Sequence, residues 1–195
     1  MHLVTEMEQI SLRSAVALCH FFLRERVKPG DRVVDATCGN GHDTRLLAQL
    51  VGPVGNVWGF DIQARALEAT RALLVGDGLS DRVELVLAGH ESLAEYVREP
   101  LAAAVFNLGY LPGGEKGIIT RPETTRAALA AAFYLLAPGG VLLAVIYSGH
   151  PGGREEEDSV LAWADGLDPR SANAWACRQP NRPASAPFLL VVEKQ

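Results

Sequence analysis

One stretch of the sequence, residues 31–47, constrains the fold more than any other; it reads DRVVDATCGNGHDTRLL. Asp35 lies in a short run of valines and alanine that is typical of a buried parallel strand. The run ends at a turn containing Gly39 and Gly41, and a helical pattern of leucines follows. A strand, a glycine turn and a helix in this order predict the first unit of a doubly wound α/β sheet, whose ligands bind at the carboxyl ends of the strands.

The carboxylate of Asp35 indicates which ligand this turn would bind. The dinucleotide fingerprint G-x-G-x-x-G places a pyrophosphate on the helix N-terminus, where Asp35 would repel it. A carboxylate is better suited to a cationic group such as an ammonium. The stretch resembles motif I of class I S-adenosylmethionine (AdoMet) methyltransferases, usually D/E-x-G-x-G-x-G, with Thr37 in place of the first glycine. The alternative is a tight strand-to-helix turn that binds no ligand.

Length and composition limit the remaining possibilities. A chain of 195 residues that is 48% hydrophobic predicts a single α/β domain over residues 1–195. Because no apolar run approaches the roughly 20 residues that span a bilayer, and residues 1–11 do not resemble a signal peptide, we expect a cytoplasmic protein without membrane association. Cys19, Cys38 and Cys177 form no C-x-x-C pair, so no metal site is predicted. A net charge of −5 argues against a general nucleic-acid binder.

A second acidic residue follows one βαβ unit later. The predicted second strand, residues 57–60, ends in Asp61. A carboxylate there can bind both hydroxyl groups of an adenosine ribose. AdoMet and NAD share that ribose, so Asp61 alone does not choose between them, but the pair of Asp61 and Asp35 favours AdoMet. After the third strand, residues 83–87, the methyltransferase resemblance places Gly89 and His90 at the adenine pocket; the alternative for His90 is a helix-capping role.

The fourth predicted strand, residues 101–106, leads into the string NLGYLPGGEKGIITRPETT. This strand should neighbour the first across the switch point of the sheet, so Asn107 is predicted to face the reacting group. Asn107 resembles, in position, the asparagine of the N-P-P-Y motif of amino-methyltransferases. The loop carries Tyr110 and Lys116 and exceeds what a plain connection needs, which favours a substrate-binding loop. The alternative is a simple connection between strand and helix.

The rest of the chain completes a Rossmann-like fold. Predicted helices cover residues 10–27, with Ser11 as N-cap, and the segment after Pro122, with Thr120 as N-cap. Strand five is predicted at residues 141–147, before a glycine-rich loop with His150. The last strands are predicted at 174–178 and 188–193, joined by a loop without helical pattern, so the final strand should be antiparallel. We therefore predict a mostly parallel seven-stranded sheet with an antiparallel last strand and helices on both faces.

Several strings together resemble one family more closely than the superfamily. They are DATCGNGHDT, FDIQ, NLGYLPGG, PETT, GHPGGREE and NRPASAPFLLVVEK, spread over nearly the whole chain. They resemble the YtqB/MnmM family of rRNA-methylase-like proteins, which includes tRNA 5-aminomethyl-2-thiouridine methyltransferase. The chain departs from the family at residues 147–150, where the family often has Y-P-G-H, and at 186–188, where it often has P-P-F.

The resemblance implies roles for particular residues. Cofactor binding is implied for Asp35, Thr37, Gly39, Asn40, Gly41, Asp43, Thr44, Asp61, Ile62, Gln63, Gly89, His90, Asn107 and Leu108. From their positions in the loops, we also predict catalytic roles for Asn107, Tyr110 and His150, with a loop-bracing role as the alternative for His150, and substrate binding for Tyr110, Lys116, Arg121, Arg154 and Arg182. The implied reaction is AdoMet-dependent N-methylation of the aminomethyl group on the wobble uridine of tRNA. Methylation of rRNA or of a small-molecule amine, and a non-catalytic AdoMet sensor, are the alternatives.

An acidic protein needs a local basic surface to hold tRNA. Six basic residues fall in or beside the loops after strands four and five or in the final hairpin: Lys116, Arg121, Arg126, Arg154, Arg178 and Arg182. They predict a basic rim around the methyl-transfer pocket, and scattered solvated charge is the alternative. The family resemblance also implies a homodimer, which would widen such a rim.

Overall fold

The computed structural model describes residues 12–109 and 119–195. Its helices are α1 (Ala15–Arg26), α2 (His42–Val51), α3 (Ala64–Gly76), α4 (Leu93–Tyr96), α5 (Pro122–Leu135) and α6 (Gly153–Asp165). Its strands are β1 (Arg32–Asp35), β2 (Asn56–Asp61), β3 (Val83–Leu87), β4 (Leu101–Leu108), β5 (Leu136–Ile146), β6 (Ala172–Cys177) and β7 (Phe188–Lys194). Among these residues, no helix is long and apolar enough to cross a bilayer.

All seven strands belong to one sheet, in the order β3-β2-β1-β4-β5-β7-β6. Strands β1 to β5 are parallel to one another, whereas β7 is antiparallel to both β5 and β6. The predicted mostly parallel sheet with an antiparallel last strand is confirmed. The strand order reverses between β1 and β4, and this switch point opens a crevice at the carboxyl ends of the strands.

Helices cover both faces of the sheet, as the sequence predicted. Along β5 the buried side chains alternate between the faces, because successive strand residues point in opposite directions. Leu142 joins the core under α4, α5 and α6, where Phe106 and Leu129 are fully buried. Leu143 joins the core under α1, α2 and α3, which includes Leu47. Burial on both faces explains why the central strands read as apolar runs.

Several element ends differ from the prediction. Helix α1 begins at Ala15, with Ser14 as N-cap accepting from the Ala17 N–H at 3.1 Å, and not with Ser11, which lies outside the described residues. Helix α5 has Arg121 at its N-cap position, because the Thr120 hydroxyl instead donates to Glu156 at 2.6 Å.

Two strands also differ in extent. Strand β5 begins at Leu136, so it includes the Pro-Gly-Gly segment predicted to be a loop, and Leu136 pairs with Leu101 before a register shift. Strand β6 covers Ala172–Cys177, two residues earlier than predicted at its start, because Ala172 pairs with Lys194 of β7.

Candidate active site

A cleft of about 960 Å³ opens at the carboxyl ends of the parallel strands. Of the residues predicted to bind the cofactor, ten line this cleft: Thr37, Gly39, Asn40, Asp43, Asp61, Ile62, Gln63, Gly89, His90 and Asn107. The other four, Asp35, Gly41, Thr44 and Leu108, are buried and do not belong to the lining. The sequence thus identified the correct edge of the sheet, while side-chain direction was decided by the packing.

Asp35 is fully buried beneath the floor of the cleft. Its carboxylate accepts from the Thr44 hydroxyl at 2.6 Å and from the Thr37 N–H at 3.1 Å. Burial, with the charge of Asp43 next in size, raises the pKa of Asp35 to about 7. The carboxylate that faces the cleft from this turn is therefore Asp43, not Asp35 as predicted. Asp35 ties the turn to the first turn of α2.

The glycine turn is held close to α3. Gly41 has a φ of 81°, and a Cβ atom there would lie 2.9 Å from the Thr70 Cα atom. Any side chain would therefore push α3 away, which accounts for glycine at this position. The Thr70 hydroxyl also donates to the Gly39 carbonyl at 3.2 Å. Both contacts fix the turn at the mouth of the cleft.

Asp61 presents both carboxylate oxygens at the end of β2. One accepts from the Gly39 N–H at 3.0 Å and the other from the Gln63 N–H at 2.8 Å. Each carboxylate oxygen has a second acceptor site. Asp61 is therefore oriented by the backbone and can still accept two hydroxyl groups from a ligand in the cleft.

Asn107 is held at two points at the switch between β1 and β4. Its backbone N–H donates to the Thr37 hydroxyl at 2.7 Å, so the threonine that replaces the usual glycine links the two strands. Its side-chain Nδ2 donates to Asp43 Oδ2 at 2.5 Å, and His20 Nε2 lies 2.6 Å from the other oxygen, Oδ1. Because a carboxylate only accepts, the Nδ2 group must face Asp43, and the carbonyl oxygen of Asn107 faces away from it.

His90 lies in the cleft wall on the cofactor side. It is 8% exposed, and its ring centroid is 6.0 Å from that of Phe106. Burial lowers the pKa of His90, although the charge of Glu91 opposes the shift. The neutral imidazole is therefore favoured, which suits contact with an uncharged ring more than acid–base work at neutral pH.

The opposite wall is formed by Ile119, Thr120, Arg121, Thr124 and Tyr147. Glu156, which is 1% exposed, lies behind it and accepts from the Thr120 and Thr125 hydroxyls, both at 2.6 Å. Glu156 belongs to the first turn of α6, where the helix dipole favours a negative charge. One buried carboxylate thus connects α6 to the segment that begins α5.

The other predicted catalytic and substrate-binding residues are placed as follows. His150 is outside the cleft lining, and its Nδ1 lies 3.0 Å from the Pro151 carbonyl. Arg154 and Arg182 are exposed and also outside the lining, whereas Arg121 lines it. Tyr110 and Lys116 lie outside the described residues.

The remaining arginines of the predicted rim do not line the cleft either. Arg178 donates to Glu157 at 2.7 Å, and its guanidinium Cζ lies 3.6 Å from the centroid of the Phe188 ring. These contacts leave Arg178 less available to a phosphate. Arg126 is exposed on α5. Among the described residues, Arg121 is the one arginine or lysine in the cleft lining.

Three residues of the site were not identified from the sequence: His20, Glu156 and Tyr147. His20 lies in the middle of an amphipathic helix, and Glu156 lies within an acidic run that reads as a solvated helix end. Burial, followed by the charge of Asp43, raises the pKa of Tyr147, whose side chain reaches the cleft from the end of β5. His20 lies in none of the strings named above. Glu156 ends the string GHPGGREE and Tyr147 begins the segment 147–150, but neither string indicates what these side chains face in the fold.

Comparison with known proteins identifies the family. The family model described as "Putative rRNA methylase" matches residues 57–193, well over half of the chain. The chain belongs to this family. A second model, protein-L-isoaspartate(D-aspartate) O-methyltransferase, matches residues 2–105, the part that carries the glycine turn and Asp61.

Relatives with known names and structures agree with this family. The "tRNA (mnm(5)s(2)U34)-methyltransferase, chloroplastic" of Arabidopsis thaliana is 41% identical over 94% of this chain and 70% of its own length. The crystal structure of a "putative rRNA-methylase" from Clostridium thermocellum is 43% identical, with a TM-score of 0.93, over 95% of this chain and 100% of that one.

A third structure bears on the cofactor. The structure of "a putative methyltransferase" from Streptococcus mutans in complex with SAH is 35% identical with a TM-score of 0.86, over 95% of this chain and 100% of that one. These two structures share the fold described above. This family member is an AdoMet-dependent methyltransferase, and its cofactor is AdoMet.

Proposed function

We propose that this enzyme methylates the aminomethyl nitrogen of a modified wobble uridine in tRNA, converting 5-aminomethyl-2-thiouridine to 5-methylaminomethyl-2-thiouridine. The observation that carries the proposal is the orientation of Asn107, whose Nδ2 group is bound to Asp43 at 2.5 Å. Asn107 lines the cleft, and with its amide group bound to Asp43 its carbonyl oxygen would accept an N–H bond from an amine. The Arabidopsis thaliana relative, named for the mnm(5)s(2)U34 position of tRNA, supplies the substrate class.

The residues of the cleft fit AdoMet. Asp61 would accept the two ribose hydroxyls with the oxygens that Gly39 and Gln63 already orient. The neutral imidazole of His90 and the adjoining Gly89 would border the adenine. When bound, AdoMet supplies an electrophilic methyl group on a sulfonium.

The acceptor amine must be neutral, because its nitrogen attacks with its lone pair. Asn107 would accept one N–H of that amine and direct the lone pair towards the methyl group, so its contribution is orientation. The negative charge of Asp43 would stabilise the positive charge that develops on the nitrogen. We further propose that Tyr110, which lies outside the described residues, shields the base, and that the loop around it, with Lys116, contacts the tRNA.

The acceptor side carries the positive charge that a tRNA phosphate needs. Arg121 lines the cleft beside Thr120 and Thr124. Arg154 and Arg182 are exposed outside it and would contact phosphates further along the anticodon arm. Because the net charge is −5, phosphate binding would depend on these local arginines and not on the overall charge.

The proposal is tested with methyl-labelled AdoMet and four acceptor pools: tRNA with the aminomethyl group, tRNA without it, rRNA and small-molecule amines. We expect label only in the first pool, and nucleoside mass spectrometry should locate it on the wobble uridine. Label in small amines alone would favour the second candidate function, which the acidic net charge supports. Binding of AdoMet without any transfer would favour a sensor.

Two further parts of the proposal concern assembly and location. We propose a homodimer, which sedimentation equilibrium of the full chain would detect, and a cytoplasmic enzyme acting on tRNA without a membrane. A monomer at micromolar concentration that still methylates tRNA would remove the dimer from the proposal and leave the reaction unchanged.

A further inference from the structure

Three elements far apart in the sequence meet behind the acceptor side of the cleft. His20 lies on α1, Asp43 in the first turn of α2 and Asn107 near the end of β4. His20 Nε2 lies 2.6 Å from Asp43 Oδ1, and Asn107 Nδ2 lies 2.5 Å from Asp43 Oδ2. Each carboxylate oxygen thus has one side-chain partner.

The chemistry of these groups sets the direction of both hydrogen bonds. An ionised carboxylate can only accept, so His20 must carry a hydrogen on Nε2, and Asn107 must present its NH₂ group. The backbone N–H of Asn107 is held separately by the Thr37 hydroxyl at 2.7 Å. The backbone N–H and the side-chain NH₂ group of Asn107 are therefore both bound. The side-chain carbonyl oxygen must then point away from Asp43.

The bond from His20 keeps Asp43 available to Asn107. The Asp43 side chain is 9% exposed, so an oxygen without a donor would be costly to leave there. Without His20, the carboxylate gains by rotating towards water or towards the acceptor amine. Either rotation breaks the hydrogen bond to Asn107 and allows the Asn107 side-chain amide to flip. The flipped amide would present its NH₂ group to the acceptor amine in place of its carbonyl oxygen.

His20 is not among the described residues that line the cleft, whereas Asp43 and Asn107 are. Its contact with the site therefore runs through Asp43. We propose that His20 is a positioning residue for methyl transfer, which holds the Asn107 carbonyl towards the acceptor amine by fixing the Asp43 carboxylate. This inference rests on the proposed role of Asn107 in amine methylation.

Two substitutions separate positioning from packing. His20→Phe keeps a ring of similar shape and removes the donor, while His20→Gln loses the ring and keeps an N–H at a similar reach. Because loss of orientation in an active site slows the reaction, His20→Phe should lower kcat by roughly ten-fold or more. His20→Gln should retain most of the wild-type kcat. Calorimetric affinity for AdoMet should be unchanged in both.

The opposite pattern, with His20→Phe active and His20→Gln impaired, would show a packing role and overturn the proposal. Glu25→Ala, an exposed substitution on the same helix, is the matched control and should leave kcat unchanged. A double-mutant cycle adds a second readout: in an Asn107→Ala background, His20→Phe should lower kcat no further. An equal loss in both backgrounds would overturn the proposal.

A measurement without turnover keeps this test separate from the proposed function. The side-chain amide resonances of Asn107, identified by their loss in Asn107→Ala, should shift in His20→Phe and stay near wild type in His20→Gln. Unchanged Asn107 resonances in His20→Phe would overturn the inference even if tRNA is methylated. A wild-type enzyme that fails to methylate tRNA would overturn the proposed function, while the resonances still test His20.

Discussion

The two sides of the cleft are built in different ways. On the cofactor side, at the ends of β1, β2 and β3, Asp61 is held by backbone N–H groups of Gly39 and Gln63. On the acceptor side, at the ends of β4 and β5, side chains hold other side chains: Asp43 binds Asn107, and Glu156 binds Thr120 and Thr125. The cofactor side therefore depends on a local turn, and the acceptor side on contacts between distant elements.

The two sides of the cleft also differ in the charged residues that line them. Asp61 and Glu91 line the cofactor side of the cleft, where they favour a cationic cofactor, while Arg121 lies at the acceptor wall. A site arranged like this can bind its cofactor and its acceptor by separate interactions. Substitutions on one side should thus leave the other side's ligand bound as before. Four substitutions test this independence, from the largest expected effect to the smallest.

Asn107→Ala should lower kcat for methyl transfer by about 100-fold, because the acceptor amine loses its oriented hydrogen-bond acceptor. AdoMet affinity should change little. Steady-state kinetics with calorimetry on the same variant checks both statements. Asn173→Ala, on the exposed edge strand β6, is the matched control. Full activity in Asn107→Ala would remove this residue from the mechanism.

Asp61→Ala should weaken AdoMet binding by about ten-fold or more, since hydrogen bonds to a charged group contribute roughly 1.5–3 kcal/mol. The same change leaves the Gly39 and Gln63 N–H groups without their acceptor, which adds to the loss. Calorimetry measures the affinity, and acceptor binding to the variant should be unaffected. Asp81→Ala, at an exposed position before β3, serves as the control. If both variants bind AdoMet equally well, the ribose contact is not made by Asp61.

Glu156→Ala should raise the acceptor KM several-fold and lower the free energy of unfolding by about 2 kcal/mol, because two hydroxyls lose a buried acceptor. AdoMet affinity should stay the same, since the contact lies on the acceptor side. Denaturant titration and kinetics provide the readouts. Glu155→Ala, the exposed neighbour on α6, should have neither effect. A parallel loss of AdoMet affinity would contradict the separation of the two sides.

Arg121→Ala should flatten the dependence of log tRNA affinity on log salt by about one unit, the value for one lost phosphate contact. Arg178→Ala is the comparison, because Arg178 is engaged by Glu157 and by the Phe188 ring. Its slope should stay near that of the wild type. Filter binding over a range of salt concentrations measures both slopes. If Arg121→Ala has the same salt dependence of tRNA affinity as the wild type, a small-molecule acceptor would be favoured.

Much of the fold could be predicted because its determinants are local. The VVDA run and the glycines after it specify strand, turn and helix within one segment. The last loop has no helical pattern, so the antiparallel direction of β7 follows from connection geometry. Asp61 and Asn107 were correctly placed at the cleft for the same reason, since each ends a recognisable strand and strand ends meet at one edge of the sheet.

Other features were decided by the tertiary structure. The sequence by itself determined that a carboxylate belongs near the glycine turn, but packing decided that Asp35 is buried and Asp43 faces the cleft. Asp35 lies within a strand enclosed by helices on both faces, so its side chain has no path to solvent. The roles of His20 and Glu156 depend on donors from other elements, and contacts across the fold leave no periodic pattern along the chain. A hydrogen bond between distant segments exists only after the core has brought them together.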